Sequence, residues 1–168
     1  MDMTASLFAE KNDPIPREKQ LMTQEEFKYE PNILLLSTID CAYPGADWAG
    51  QMHMDHYIHA YNIRVPCPAM FPEEFYFFCF EQGFDGIIIM SCGAECPYPG
   101  GYDRLAKRVD KLYKMMKKQD LEIDRLRLTA ICTVCAQSYI KEIGEMAAKL
   151  KALPPVKRAL ANTSQGVN

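Results

Sequence analysis

No window of the sequence approaches the roughly 20 unbroken apolar residues of a membrane span. The opening stretch MDMTASLFAEKNDPIPREK has no basic-then-apolar leader pattern. Membrane insertion is therefore not expected, and a cytoplasmic location is. Positive charge is not in excess either: 19 Lys and Arg stand against 22 Asp and Glu, for a net charge of -3. A surface that must neutralise a phosphate backbone needs the opposite balance, so nucleic acid is not an expected partner. There is no GxGxxG or Walker loop to cradle a nucleotide or flavin, no internal repeat and no low-complexity block.

What is present is enough for one domain. The chain has 168 residues, 48% of them hydrophobic, which suffices for a real core. Residues 1–31 are polar and unpatterned and read as an N-terminal extension, expected to serve as a docking arm. From Asn32 the pattern changes. NILLLST, AYNIRVP, DGIIIM and DRLRLTAI are short apolar runs bounded by turn-forming residues and predict four strands. Between them ADWAGQMHMDHY, PEEFYFFCFEQG, YDRLAKRVDKLYKMMKKQ and AQSYIKEIGEMAAKLKAL predict helices. Pro72 suits a first turn, Gly83 suits a helix end, and Leu105, Val109, Leu112 and Met116 share one face with a solvated basic face opposite. Asp47 is expected to cap the first helix. Strands alternating with helices imply an α/β fold: a small open, mainly parallel sheet of about four strands, helices on both faces, spanning residues 32–153 and followed by a tail at 154–168.

Seven cysteines sit on this map. Cys41 follows the first strand, Cys67 ends the second, Cys92 and Cys96 follow the third, and Cys132 and Cys135 close the fourth. In a parallel sheet all six fall at the carboxyl edge, where ligands of open α/β sheets bind. Scattered burial would not put cysteine at one end of every strand, so metal or redox chemistry is expected there. Cys79 lies on an aromatic-rich helix and reads as core. Four such thiols could hold an iron–sulfur cluster or a tetrahedral zinc ion. The spacings Cys92-x3-Cys96 and Cys132-x2-Cys135 do not choose between them, and the second pair could equally be a dithiol.

His53, His56 and His59 lie close together, but three histidines without a nearby cysteine pair are expected to cap, pack or face a partner. Trp48 and Tyr43 beside Cys41 could shield a cluster, burial in a core or interface being the ordinary role. A nucleophilic pair drawn from Cys41 and His53 lacks a third orienting group, and no catalytic residue is assigned.

The segments CAYPGADWAG (Cys41 to Gly50), IRVPC (Ile63 to Cys67), FDGIIIMSCGAECPYPGGY (Phe84 to Tyr102) and AKRVDKLYKMM (Ala106 to Met116) occur in the order found in one family. In these the chain resembles the delta subunit of methyl-viologen-reducing hydrogenase, the MvhD-like hydrogenase iron–sulfur subunits, which include a related subunit of class II benzoyl-CoA reductase. The resemblance covers roughly residues 32–153. It implies a non-catalytic electron-transfer subunit of an anaerobic oxidoreductase complex, carrying one [2Fe-2S] cluster (the alternatives being [4Fe-4S] or Zn). Its partners would be an HdrA-like flavoprotein and a hydrogenase, formate dehydrogenase or other redox module. Matched motif by motif, the implied cluster-binding residues are Cys41, Cys67, Cys92 and Cys96, with Cys132 and Cys135 as secondary candidates. The chain departs from the family in reading STID where an additional cysteine usually precedes the Cys41 position, and in spacing Cys92 and Cys96 one residue closer. A zinc- or cluster-stapled structural adaptor and a dithiol oxidoreductase using Cys132 and Cys135 are the competing readings.

Overall fold

The structure is a computed structural model and describes residues 29–156. The assignment of 1–31 as a docking arm thus lies almost entirely outside the described residues, as does most of the tail at 154–168. Strands β1 (Ile33–Thr38), β2 (Ala60–Val65), β3 (Gly86–Ser91) and β4 (Leu126–Ala130) alternate with helices α1 (Ala42–Gln51), α2 (Glu73–Glu81), α3 (Gly101–Lys118) and α4 (Ala136–Lys151). The sheet is parallel throughout, in the order β2-β1-β3-β4. Ile33 pairs with Ala60 on one side and Gly86 on the other, and Ile87 pairs with Leu126.

The Leu and Ile runs of β1 and β3 occupy the two central positions, where both faces are covered and every residue is buried. Alternate residues feed two cores. Leu34, Leu36, Ile87 and Ile89 pack under α2 and α3, against Tyr76, Phe80, Leu105 and Val109. Ile33, Leu35, Ile88 and Met90 pack under α1 and α4, against Ala49, Tyr139, Ile143 and Leu150. Each such side chain contributes about 1.5–3 kcal/mol by leaving water, so these two strands hold the domain together. The edge strand β2 is different: among the described residues its faces are little covered, and Tyr61 and Ile63 remain 48% and 45% exposed.

Two local expectations are corrected. The first helix starts at Ala42, four residues earlier than its pattern suggested, with Cys41 as the preceding cap residue. Pro44 stands in its first turn, where a missing N–H costs nothing. Asp47 therefore lies inside α1 and caps nothing. The helix ends at Gln51, and His53 follows in a left-handed conformation (φ 52°), so MHMDHY is not helical. The fourth strand begins at Leu126; Ile123–Arg125 forms a single 3-10 turn before it. Among the described residues, no helix is long and apolar enough to cross a membrane.

Candidate functional site

Because all four strands run the same way, the loops after them meet at one edge. The strand order decides which meet most closely. β1 leads by way of α1 to β2 on one side, while β3 leads by way of α3 to β4 on the other, and the two helices lie on opposite faces. The loops leaving β1 and β3 thus diverge and leave a crevice between them, the switch point at which open α/β sheets bind ligands. Cys41 stands on one side of that crevice and Cys92 and Cys96 on the other.

The thiols interact across it. Cys92 Sγ lies 3.7 Å from Thr38 Oγ1, at the end of β1, and the same hydroxyl oxygen accepts from the Ala42 N–H at 3.4 Å. Thr38 thereby ties the Cys92 loop to the first turn behind Cys41. Burial pushes the Cys41 thiol up to about 12; its hydrogen bond with Cys92 and the negative charge of Cys92, Asp40 and Cys96 add to the shift. A set of thiolates can persist in such a place only with positive charge among them. Cys67 enters from the outer strand: together with Cys92, Cys96, Thr38, Ser91 and Tyr98 it lines a narrow cleft. All four cysteines are partly buried and free. They do not close around one point, since among the described residues no three His, Cys, Asp or Glu side chains are gathered tightly enough to hold a single ion.

Loop shape follows from glycine and proline. Gly93 sits at φ 63°, and a Cβ there would come within 2.9 Å of the Ala130 Cβ, so the turn between Cys92 and Cys96 can press on β4 only as glycine. Gly101, at the start of α3, leaves room for the Cys96 thiol: a Cβ would stand 2.9 Å from Cys96 Sγ. Gly101→Ala is expected to swing that thiol away without unfolding the domain, because a side-chain tip yields easily. Any iron bound there should fall in affinity by roughly 10–100-fold, as when a group that orients a ligand is lost. Iron content together with circular dichroism checks this; full iron retention would mean that Cys96 does not need that position.

Arg108 does more than its expected solvation. From α3 its guanidinium donates to the carbonyls of Ala69 (3.0 Å) and Phe71, and it faces Glu73 together with Lys111. This holds the segment directly after Cys67. Nothing in the helical stripe singled it out, nor did anything single out Thr38.

The remaining candidates fall outside the crevice. Cys79 is 5% exposed within the α2–α3 core, as expected, and burial raises its thiol to about 11. His53 and His56 are exposed beyond the far end of α1. Ten residues of helix separate Cys41 from His53, about 15 Å at the usual rise, too far for a nucleophile and its base. Trp48 is 46% exposed rather than packed in a core, and Tyr43 lies under Arg64, 5.2 Å from its ring centre. Cys132 and Cys135 sit at the same edge, after β4, and are joined to each other in a disulfide.

The family model described as the delta subunit of methyl-viologen-reducing hydrogenase matches residues 33–154, the whole α/β unit. The chain belongs to that family. Over 131 residues it is 28% identical to the iron-sulfur subunit of the F420-non-reducing hydrogenase of Archaeoglobus profundus, covering 77% of this chain and 96% of that protein. Over 128 residues it is 29% identical to the iron-sulfur subunit of the vhc F420-non-reducing hydrogenase of Methanococcus voltae, covering 76% and 89%. It is also 28% identical over 117 residues to the ferredoxin:CoB-CoM heterodisulfide reductase of Methanosarcina mazei, in the subunit designated A; that match takes in 69% of this chain and 15% of the much longer relative. A delta-subunit domain thus stands alone in the first two relatives and forms a small part of the third.

Proposed function

We propose that this chain is an electron-transfer subunit of a cytoplasmic, anaerobic oxidoreductase complex. It holds one [2Fe-2S] cluster on Cys41, Cys67, Cys92 and Cys96. The observation that carries this reading is the gathering of four free thiols from three loops in the crevice between β1 and β3 of a delta-subunit fold. The donor set fits the group: thiolates are the usual ligands of such clusters, and a body of several atoms suits Cys67, Cys92 and Cys96 lining one cleft with Cys41 meeting Cys92 beside it, without all closing on one point. A lone zinc ion requires all four within bonding distance, about 2.3 Å, of one centre. Both hydrogenase relatives are named as iron-sulfur subunits, which agrees with this choice.

Bound there, the cluster supplies a one-electron couple. The chain's own residues set its surroundings: Pro66, Pro68 and Tyr98 keep one side of the cleft apolar, and Thr38 fixes the Cys92 loop against Cys41. The electrons pass between an HdrA-like flavoprotein and a further redox module, a hydrogenase or formate dehydrogenase. The match to a small part of the longer heterodisulfide reductase chain supports the first partner, since a domain covalently joined to such a chain in one organism has the surface to dock on it in another. Residues 1–31 would extend that docking as an arm.

The test is iron and acid-labile sulfide in this chain purified anaerobically by itself, with electron paramagnetic resonance after dithionite reduction. We expect iron and sulfide in equal amounts, about two of each per chain as the nuclearity requires, with a signal that appears on reduction. Zinc at this site would favour a stapled adaptor, and no metal at all would leave a dithiol oxidoreductase.

A further inference from the structure

Cys132 and Cys135 form a disulfide that encloses only Thr133 and Val134, in the turn between β4 and α4. We propose that this pair is a second redox site, a reversible two-electron dithiol–disulfide couple that exchanges with a small protein dithiol. It is separate from the one-electron cluster site and does not depend on that reading.

Three features of the turn set it apart from a structural staple. First, a bond between residues three apart closes about the shortest loop a disulfide can, and such loops constrain the unfolded chain least. The elements on either side are already fixed by burial: Ile131, Ala136 and Tyr139 belong to the core under α1 and α4. Second, the turn is open to a partner. Thr133 and Val134 are exposed, Val134 by 75%, and both sulfur-bearing residues are only partly buried. An apolar side chain standing free beside an accessible disulfide gives an incoming protein something to rest on. Third, Cys135 is the cap residue of the 16-residue helix α4. A thiolate leaving from Cys135 would form at the positive end of that helix's dipole, and a stabilised leaving thiolate speeds exchange.

The reaction balances without any cofactor. A thiolate of the partner attacks Cys132 Sγ, the Cys132–Cys135 bond breaks, and Cys135 leaves as thiolate. The partner's second thiolate then attacks its own sulfur in the mixed disulfide and releases Cys132. Two electrons and two protons pass from the partner's two thiols to this pair, and the partner is left as a disulfide. The turn also packs on α1. The Cys132 carbonyl oxygen packs against Gly45 in the α1 turn behind Cys41, where a Cβ would stand 3.1 Å away.

The experiment is thiol trapping on the full-length protein, equilibrated anaerobically over a series of reduced-to-oxidised dithiothreitol ratios. Samples are alkylated without denaturation, and labelled positions are read by peptide mass spectrometry. Expected is a single transition in which Cys132 and Cys135 gain label together with a two-electron slope. A thioredoxin-type dithiol should accelerate it about tenfold or more over glutathione at equal thiol concentration. In Cys132→Ser no disulfide should form, while the iron content stays at the wild-type level. The proposal is overturned if the pair resists labelling at every ratio, as a structural bond would. Labelling at every ratio, or loss of iron in Cys132→Ser, would overturn it equally, the last by making these residues ligands. The labelling needs no iron, so its failure is distinct from failure of the cluster reading.

Discussion

If the proposed cluster is held as described, Cys92→Ser is expected to abolish iron binding while leaving the protein folded. Among the four candidate ligands Cys92 has the most connected position. It meets Cys41 across the crevice, shares its cleft with Cys67 and Cys96, and touches Thr38 at the end of β1. Losing a residue that merely orients a ligand costs about 10–100-fold in metal affinity; losing the ligand itself should exceed that and leave less than about a tenth of the iron. Serine is nearly isosteric and Cys92 is only partly buried, so stability should change by about 1 kcal/mol or less. Cys79→Ser supplies the contrast. It places a hydroxyl among the aromatic side chains of α2, in a site 5% exposed, and should cost about 1–3 kcal/mol while every iron stays. Iron content set beside denaturant unfolding separates the two variants. Iron retained in Cys92→Ser would place the ligand set elsewhere at the edge.

That contrast was legible in the sequence, for a physical reason. In a parallel sheet, which end of a strand a residue follows is enough to fix which edge it occupies. Cys41, Cys67, Cys92, Cys96, Cys132 and Cys135 could thus be assigned to one edge before any contact was known. Which of them touch depends on strand order, and the apolar runs of β1 and β3 look alike in this respect; only their adjacency in the sheet sets Cys41 against Cys92. The start of α1 was misjudged because Pro44 and Gly45 read as turn residues. Proline is at home in a first turn, and Gly45 faces the Cys132 carbonyl closely enough that a larger residue would crowd it. The exposure of β2 also escaped the pattern, since Tyr61 and Ile63 are as apolar as a buried pair and only the thin cover over their faces leaves them wet. The Cys132–Cys135 bond was one of several fates that a C-x-x-C spacing allows.

Arg125→Ala carries the largest expected loss of stability. The sequence pattern places Arg125 within the run DRLRLTAI that predicts the fourth strand. The structure instead buries Arg125 completely in the turn before β4. Its guanidinium donates to Glu122 Oε2 at 2.7 Å, to the Asp85 carbonyl at 3.2 Å and to the Pro154 carbonyl at 2.6 Å. The group therefore joins the entrance of β3, the entrance of β4 and the chain beyond α4. Nearby, the Asp85 carboxylate adds two further ties, accepting from the Asn32 and Val156 N–H groups. Alanine removes the donor and leaves two carbonyls facing a cavity, so a loss of about 3–5 kcal/mol is expected. For a chain of this size that lowers the melting temperature by roughly 10 °C. Methionine, which refills the space without the donors, should recover part of the loss but not all. The acid limb of the stability profile offers an independent check. Burial raises the Glu122 carboxyl, but its hydrogen bonds and the charge of Arg125 outweigh this and hold it below its ordinary value. A group depressed in the folded state contributes stability above its unfolded pKa and loses it as pH falls through the folded one. In Arg125→Ala that part of the acid sensitivity should flatten below the normal carboxylate range, while iron per folded chain stays unchanged, because the turn lies at the opposite end of the sheet from the thiols. Wild-type stability in Arg125→Met would mean that the buried guanidinium merely fills space.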